Sequence, residues 1–217
     1  MQSDQNDGQH TDRQARIGAD GVGHSRAEKA ESRDRILDAA ARQIRVGGLD
    51  SVSIADLMKA ANLTHGGFYG HFASRAALIA AALDLALDRG EAAFVAANPA
   101  QGGNTVKSIV NRYLSPAHRD ATGEGCAISA LAGDVGRAED NELRVRMAKR
   151  LEHSFEDMTE AMGGDPGAEE AAVAAWCAMV GAITLSRVFQ GTDRSDQILR
   201  MARQSILDLE ASQRVGA

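Results

Sequence analysis

A chain of 217 residues with 44% hydrophobic residues, 4% aromatics and 3 prolines can bury a sizeable core, and its composition favours helix over strand. Its 2 cysteines, Cys126 and Cys177, have no Cys or His nearby at metal-ligand spacing, which excludes a disulfide scaffold and points to free thiols in a reducing cytoplasm. The formal charge of −6 disfavours nucleic acid until it is divided: residues 1–23 carry −2, 24–75 carry +2 and 76–217 carry −6, so the positive segment is 24–75.

Residues 1–31 are polar, with almost no large apolar side chain, and predict a flexible N-terminal tail. They lack the apolar stretch of a signal peptide, and the chain has no uninterrupted apolar run of about 18 residues, so neither secretion nor a membrane span is expected. From Ser32, a candidate N-cap, Ile36, Leu37, Ala40 and Ile44 recur at helical spacing until Gly47-Gly48 stops the run. Ser53, with an acid three residues later, starts a short second helix over about 54–60. Asn62-Leu63-Thr64 then makes a tight turn, and Thr64 can cap a third helix ending at Phe72. The order is that of a helix-turn-helix. In the third helix His65, Gly66, Gly67 and Gly70 are poor helix formers, so Phe68 and Phe72, four apart, must anchor it while the glycine face lets backbone approach another surface. Ser74 caps a long fourth helix over about 75–97, which Asn98-Pro99 and Gln101-Gly102-Gly103 break. Further helical runs are expected at about 104–115, 126–137, 141–162, 168–190 and 195–211, without βαβ alternation or a fixed repeat.

The stretch Thr64-His-Gly-Gly-Phe-Tyr-Gly-His-Phe-Ala-Ser-Arg75, preceded by Ser53-Ile-Ala-Asp-Leu and Ala60-Ala-Asn-Leu63, resembles the TetR/AcrR family of bacterial transcription regulators over about residues 32–83. Arg75 replaces the Lys usual there, and Gly67 and Gly70 stand where that family commonly has larger side chains. The resemblance implies an all-α protein: a tail over 1–31, a three-helix DNA-binding head over 32–76, and a helical ligand-binding and dimerisation domain over 77–217, the long fourth helix joining the last two. It implies a cytoplasmic homodimer on a palindromic operator in double-stranded DNA, most simply a repressor released by a small-molecule effector. Ser53, Thr64, Tyr69, His71 and Arg75 would contact phosphates, and His65, Gly66 and Gly67 would lie nearest base edges. Arg26, Lys29 and Arg33 would form an arm, and caps, packing residues and solvated arginines are the plainer alternative for these positions.

In the body, Val173, Trp176, Cys177, Val180, Ile183 and Leu185 make the run 168–190 apolar nearly all round, so burial on two sides is expected. A partner's helices, with Ile198, Met201, Ile206 and Leu209, would supply the second side, and an intramolecular core helix is the alternative. Cys126 follows a Gly-rich turn at an expected helix start, where amides favour a thiolate. With Tyr113-Leu-Ser-Pro-Ala-His-Arg-Asp120 it resembles a subgroup of those regulators, some of which respond to electrophiles or oxidants; a sensor and a small packing residue both remain open. Cys177 reads as an inert core residue. His118-Arg119-Asp120 matches a kinase catalytic loop by chance, since none of that loop's companion motifs is present. Neither catalytic residues, cofactor nor metal is expected. The rival reading is a helical ligand-binding or thiol-sensing protein whose DNA binding is weak or vestigial.

Overall fold

The computed structural model describes residues 9–96, 105–165 and 167–216, and these are all helix, turn and loop. The order is α1 (Gln9–Gly47), a 3-10 turn (Leu49–Ser51), α2 (Ile54–Ala60), a 3-10 helix (His65–Gly70), α3 (Arg75–Ala96), α4 (Val106–Tyr113), α5 (Pro116–Asp120), α6 (Ala127–Arg137), α7 (Asn141–Ala161), α8 (Ala168–Val188) and α9 (Asp193–Gly216). Residues 1–8 of the tail and the break at Asn98-Pro99 and Gln101-Gly103 lie outside the described residues.

α1 begins well before the expected cap, so Ser32 sits inside the helix and its hydroxyl accepts from Arg35 Nη2 at 3.1 Å. Good helix formers in Arg26-Ala-Glu-Lys-Ala-Glu31 carry the helix back past it. Burial nevertheless starts there: residues 26–31 are exposed, whereas Ser32, Ile36, Ala40, Ala41 and Ile44 are buried. Ser53 and Ser74 cap as expected, accepting from the Asp56 and Ala77 amides at 3.3 and 3.0 Å. α2 ends on Asn62 in the left-handed region, φ 58°, with Asn62 N–H donating to Lys59 O and Leu63 N–H to Met58 O. α7 stops the same way: Gly163, φ 120°, donates to Glu160 O and Gly164 to Thr159 O.

One buried cluster runs from the head into the body, joining Ile36, Met58, Phe68, Leu78, Leu83, Leu131 and Met147 through α3. A second, with Val110, Met158, Ala172, Met179, Ile183 and Leu199, knits α4, α7, α8 and α9. By length and mean hydropathy, 1.6, α8 is the one described helix apolar enough to cross a membrane. It packs instead between α7 and α9, with Ala171, Ala175, Met179 and Ile183 buried. Its opposite face is uncovered. Ala174, Cys177, Ala178, Thr184, Leu185 and Val188 are exposed, Leu185 by 55% and Val188 by 74%, which corrects the reading of Cys177 as a core residue. An apolar circumference places residues on both sides of a helix, and within this chain only one side meets a neighbour.

Candidate nucleic-acid interface and effector cavity

The recognition segment is a 3-10 helix of six residues, not an α-helix. Three glycines in six positions remove the side-chain bulk and propensity that favour the α form, and the 3-10 turn closes with short i to i+3 bonds. Gly67 N–H donates to Thr64 O at 2.9 Å, and His71 N–H to Phe68 O at 2.9 Å. Thr64 makes no side-chain cap, so its hydroxyl is not occupied as expected. Phe68 and Phe72 anchor the segment, 1% and 5% exposed with ring centroids 5.8 Å apart. Deleting a ring so enclosed costs about 3–5 kcal/mol.

That anchor leaves Thr64, His65, Gly66, Tyr69 and Gly70 exposed, Tyr69 by 69%, with Ser53, Gly67 and His71 half-buried beside them. A methyl group added at Gly66 or Gly70 would meet nothing within 4 Å, so bare backbone is presented to the outside. In the chain alone the Arg75 guanidinium is engaged within the head. Its Nε donates to Val52 O at 3.3 Å and its Nη2 to Leu49 O and Asp50 O at 3.3 and 3.2 Å, tying the start of α3 to the chain before α2. Arg33 is likewise committed in part, its guanidinium standing 4.9 Å over the Phe72 ring.

The body holds a mostly apolar cavity of about 400 Å³, walled by α3 to α8 and including Tyr113, His118, Cys126, Met158 and Trp176. Tyr113 packs edge-on against His118 and Trp176, at 4.5 and 5.4 Å between centroids. Trp176 Nε1 donates to Ser154 O at 2.7 Å. His118 Nε2 accepts from Cys126 N–H at 3.0 Å, so Nδ1 carries the proton and donates to Tyr113 O at 2.6 Å. Burial lowers the His118 pKa, in keeping with that neutral form. Burial also pushes the Tyr113 phenol well up, and the Cys126 thiol and Ser129 hydroxyl are its polar neighbours. Cys126 occupies the N-cap position of α6, half-buried at the cavity wall, with no side-chain cap bond. Among the described residues no group of three or more His, Cys, Asp or Glu could hold a metal.

His118-Arg119-Asp120 is structural: Arg119 pairs with Asp120 and Asp196 at 2.7 and 2.6 Å and donates to Ser195 Oγ at 2.8 Å, joining α5 to α9. Sequence reasoning missed this joint and most of the individual residues that line the cavity. Each depends on contacts between distant segments.

An exposed helix-turn-helix on an all-helical body with an internal cavity defines a DNA-binding regulator. Residues 36–82 match the bacterial regulatory proteins of the tetR family, so the head is the DNA-binding domain of that family's transcriptional regulators. An uncharacterized HTH-type transcriptional regulator of Mycobacterium tuberculosis is 29% identical over 185 residues, spanning 81% of this chain and 94% of its own. In fold, the chain is similar to a TetR regulator from Chloroflexus aurantiacus, with a TM-score of 0.71 and 22% identity over 83% of this chain and 94% of that one. A TetR-family regulator from Cytophaga hutchinsonii gives 0.69 and 23% over 85% and 96%, and the reduced form of E. coli NemR gives 0.66 and 18% over 81% and 95%.

Proposed function

We propose that the protein is a cytoplasmic homodimeric repressor that grips a palindromic operator and is released when a small molecule or electrophile occupies its body. The observation that carries the reading is the cavity of about 400 Å³, apolar in most of its lining, with a thiol at its wall, in a chain whose recognition segment is exposed on the head. Release requires only that the effector bind the two head placements unequally. The division of labour is a tail over 1–31, helical in its described part, a DNA-binding domain over 32–76 and a ligand-binding and dimerisation domain over 77–217. Dimerisation is supported by the uncovered face of α8 with Met201 of α9, 58% exposed, beside it in the same helix pair. Within the head, Ser53, Thr64, Tyr69 and His71 contact phosphates, and His65, Gly66 and Gly67 approach base edges. The protein acts as a regulator and not as a catalyst.

The electrophile arm rests on Cys126, which lines the cavity at the start of α6, whereas Cys177 faces outward from α8. The test is a gel shift with DNA flanking the protein's own gene, titrated with a quinone, for the wild type, Cys126→Ser and Cys177→Ser. The wild type and Cys177→Ser should lose the shifted band while Cys126→Ser keeps it. Equal loss in all three removes Cys126 from the account and leaves an uncharged apolar ligand as the effector. No shifted band in the wild type on flanking or random-pool DNA contradicts the repressor reading itself.

A further inference from the structure

The loop 121–126 that closes one side of the cavity has a second face. It is held tightly, with Glu124 N–H and Gly125 N–H both donating to Ala121 O, at 3.2 and 2.6 Å, and Cys126 N–H donating to His118. Glu124, Gly125 and Cys126 line the cavity. On its other side the loop lies on the end of α1: a methyl group at Gly123 would stand 3.2 Å from Arg42 Cγ and 3.4 Å from Val46 Cγ2. The Glu124 carboxylate accepts from Arg42 Nη1 at 3.0 Å and stands 3.8 Å from Arg45 Nη2.

Arg45 gives that contact its weight. Its side chain is 1% exposed, its Nη1 reaches only Ala86 O of α3 at 3.5 Å, and its Nε and Nη2 have no hydrogen-bond partner. A guanidinium in such a place needs a counter-charge, and removing the partner from a buried ion leaves it uncompensated. Glu124 is the carboxylate within 4 Å of it. α1 in turn carries the head, since Ile36, Ala40 and Ile44 share a core with Phe68. It ends at Gly47, and just beyond Gly48, φ 84°, Leu49 N–H donates to Asp134 of α6 at 3.1 Å.

We propose that Glu124 is the positioning residue that couples the cavity to the DNA-binding head, by tying the cavity loop to Arg42 and to the buried charge of Arg45 at the end of α1. The proposal rests on the reading that the head binds DNA and the cavity an effector. A ligand that shifts the loop draws Glu124 from Arg45, and the arrangement of α1 that restores the counter-charge differs from the one that fits DNA.

Coupling is reciprocal, so DNA at the head must be felt in the cavity without any effector present. The chain's single tryptophan, Trp176, lies in the cavity wall and reports it. Iodide quenching of its fluorescence is measured on the full chain, free and saturated with DNA selected from a random pool. In the wild type the quenching constant should change by about twofold on DNA binding. Glu124→Gln should bind DNA within about threefold of wild type yet show the same quenching free and bound. Arg42→Ala, at a side chain 67% exposed, should fold normally and show a smaller change than wild type. A wild-type tryptophan indifferent to bound DNA, or a full change retained in Glu124→Gln, overturns the proposal and leaves DNA binding standing. Should Glu124→Gln not fold, Arg42→Ala decides alone, and a full wild-type change in it overturns the proposal. A wild type that binds no DNA overturns this proposal together with the reading beneath it.

Discussion

His118 is where pH enters the body of the protein. Both ring nitrogens are engaged as only the neutral imidazole allows, and burial holds its pKa below the ordinary 6.5. As pH falls below about 6.5 the unfolded chain takes up a proton that the folded chain resists, so this stability is present above that pH and lost toward the folded pKa. The slope has a ceiling of about 1.4 kcal/mol per pH unit for one proton. His118→Gln, which can still donate and accept, should flatten the acid decline of the thermal midpoint; parallel pH profiles for variant and wild type would refute this. Arg75 calls for a different test, because its donors hold the carbonyls of Leu49, Asp50 and Val52. Arg75→Ala should destabilise the head by about 1–2 kcal/mol, half-exposure tempering charge-assisted bonds, and weaken DNA binding without altering its salt dependence. A salt slope smaller by about 1 would return Arg75 to the phosphate contacts.

At the scale of elements, the glycines of the 3-10 segment make the sharpest prediction. Gly66 and Gly70 have open space where a side chain would stand, so Gly70→Ala should leave the thermal midpoint unchanged or raised. The same change should weaken DNA binding by about tenfold, because the added methyl keeps the backbone from the duplex. Tighter binding by Gly70→Ala would remove the close approach from the account. The caps at Ser53 and Ser74 were legible because they act on amides three residues on, and the Phe68–Phe72 anchor because both rings share one face. The 3-10 geometry was only half legible: the glycines announced a poor α-helix but not which form replaces it. The Glu124–Arg42 contact joins residues 82 positions apart and leaves no local pattern. Cys177 was misread for a related reason, since periodicity gives a helix its apolar faces and packing alone decides which one is covered.

For the whole molecule, the net −6 is compatible with DNA binding because the acidic excess lies in the body and the head carries the positive segment. Val180 and Leu209 are half-buried against the chain's own core, so they are poor probes of a dimer. Leu185, outward on α8, is the better one: Leu185→Glu should sediment as a folded monomer at micromolar concentration and lose operator affinity, because two half-sites about one DNA turn apart need two linked heads. A variant that stays dimeric would move the interface elsewhere. Whether an exposed 3-10 segment on a two-fold dimer reads DNA can be measured by selecting binding sites for the full chain from a random duplex pool. A palindrome with half-sites about one turn apart should be enriched, and the enrichment lost when Tyr69 and His71 are both replaced by alanine. Retention of unenriched DNA, falling with salt and indifferent to Tyr69 and His71, would contradict it.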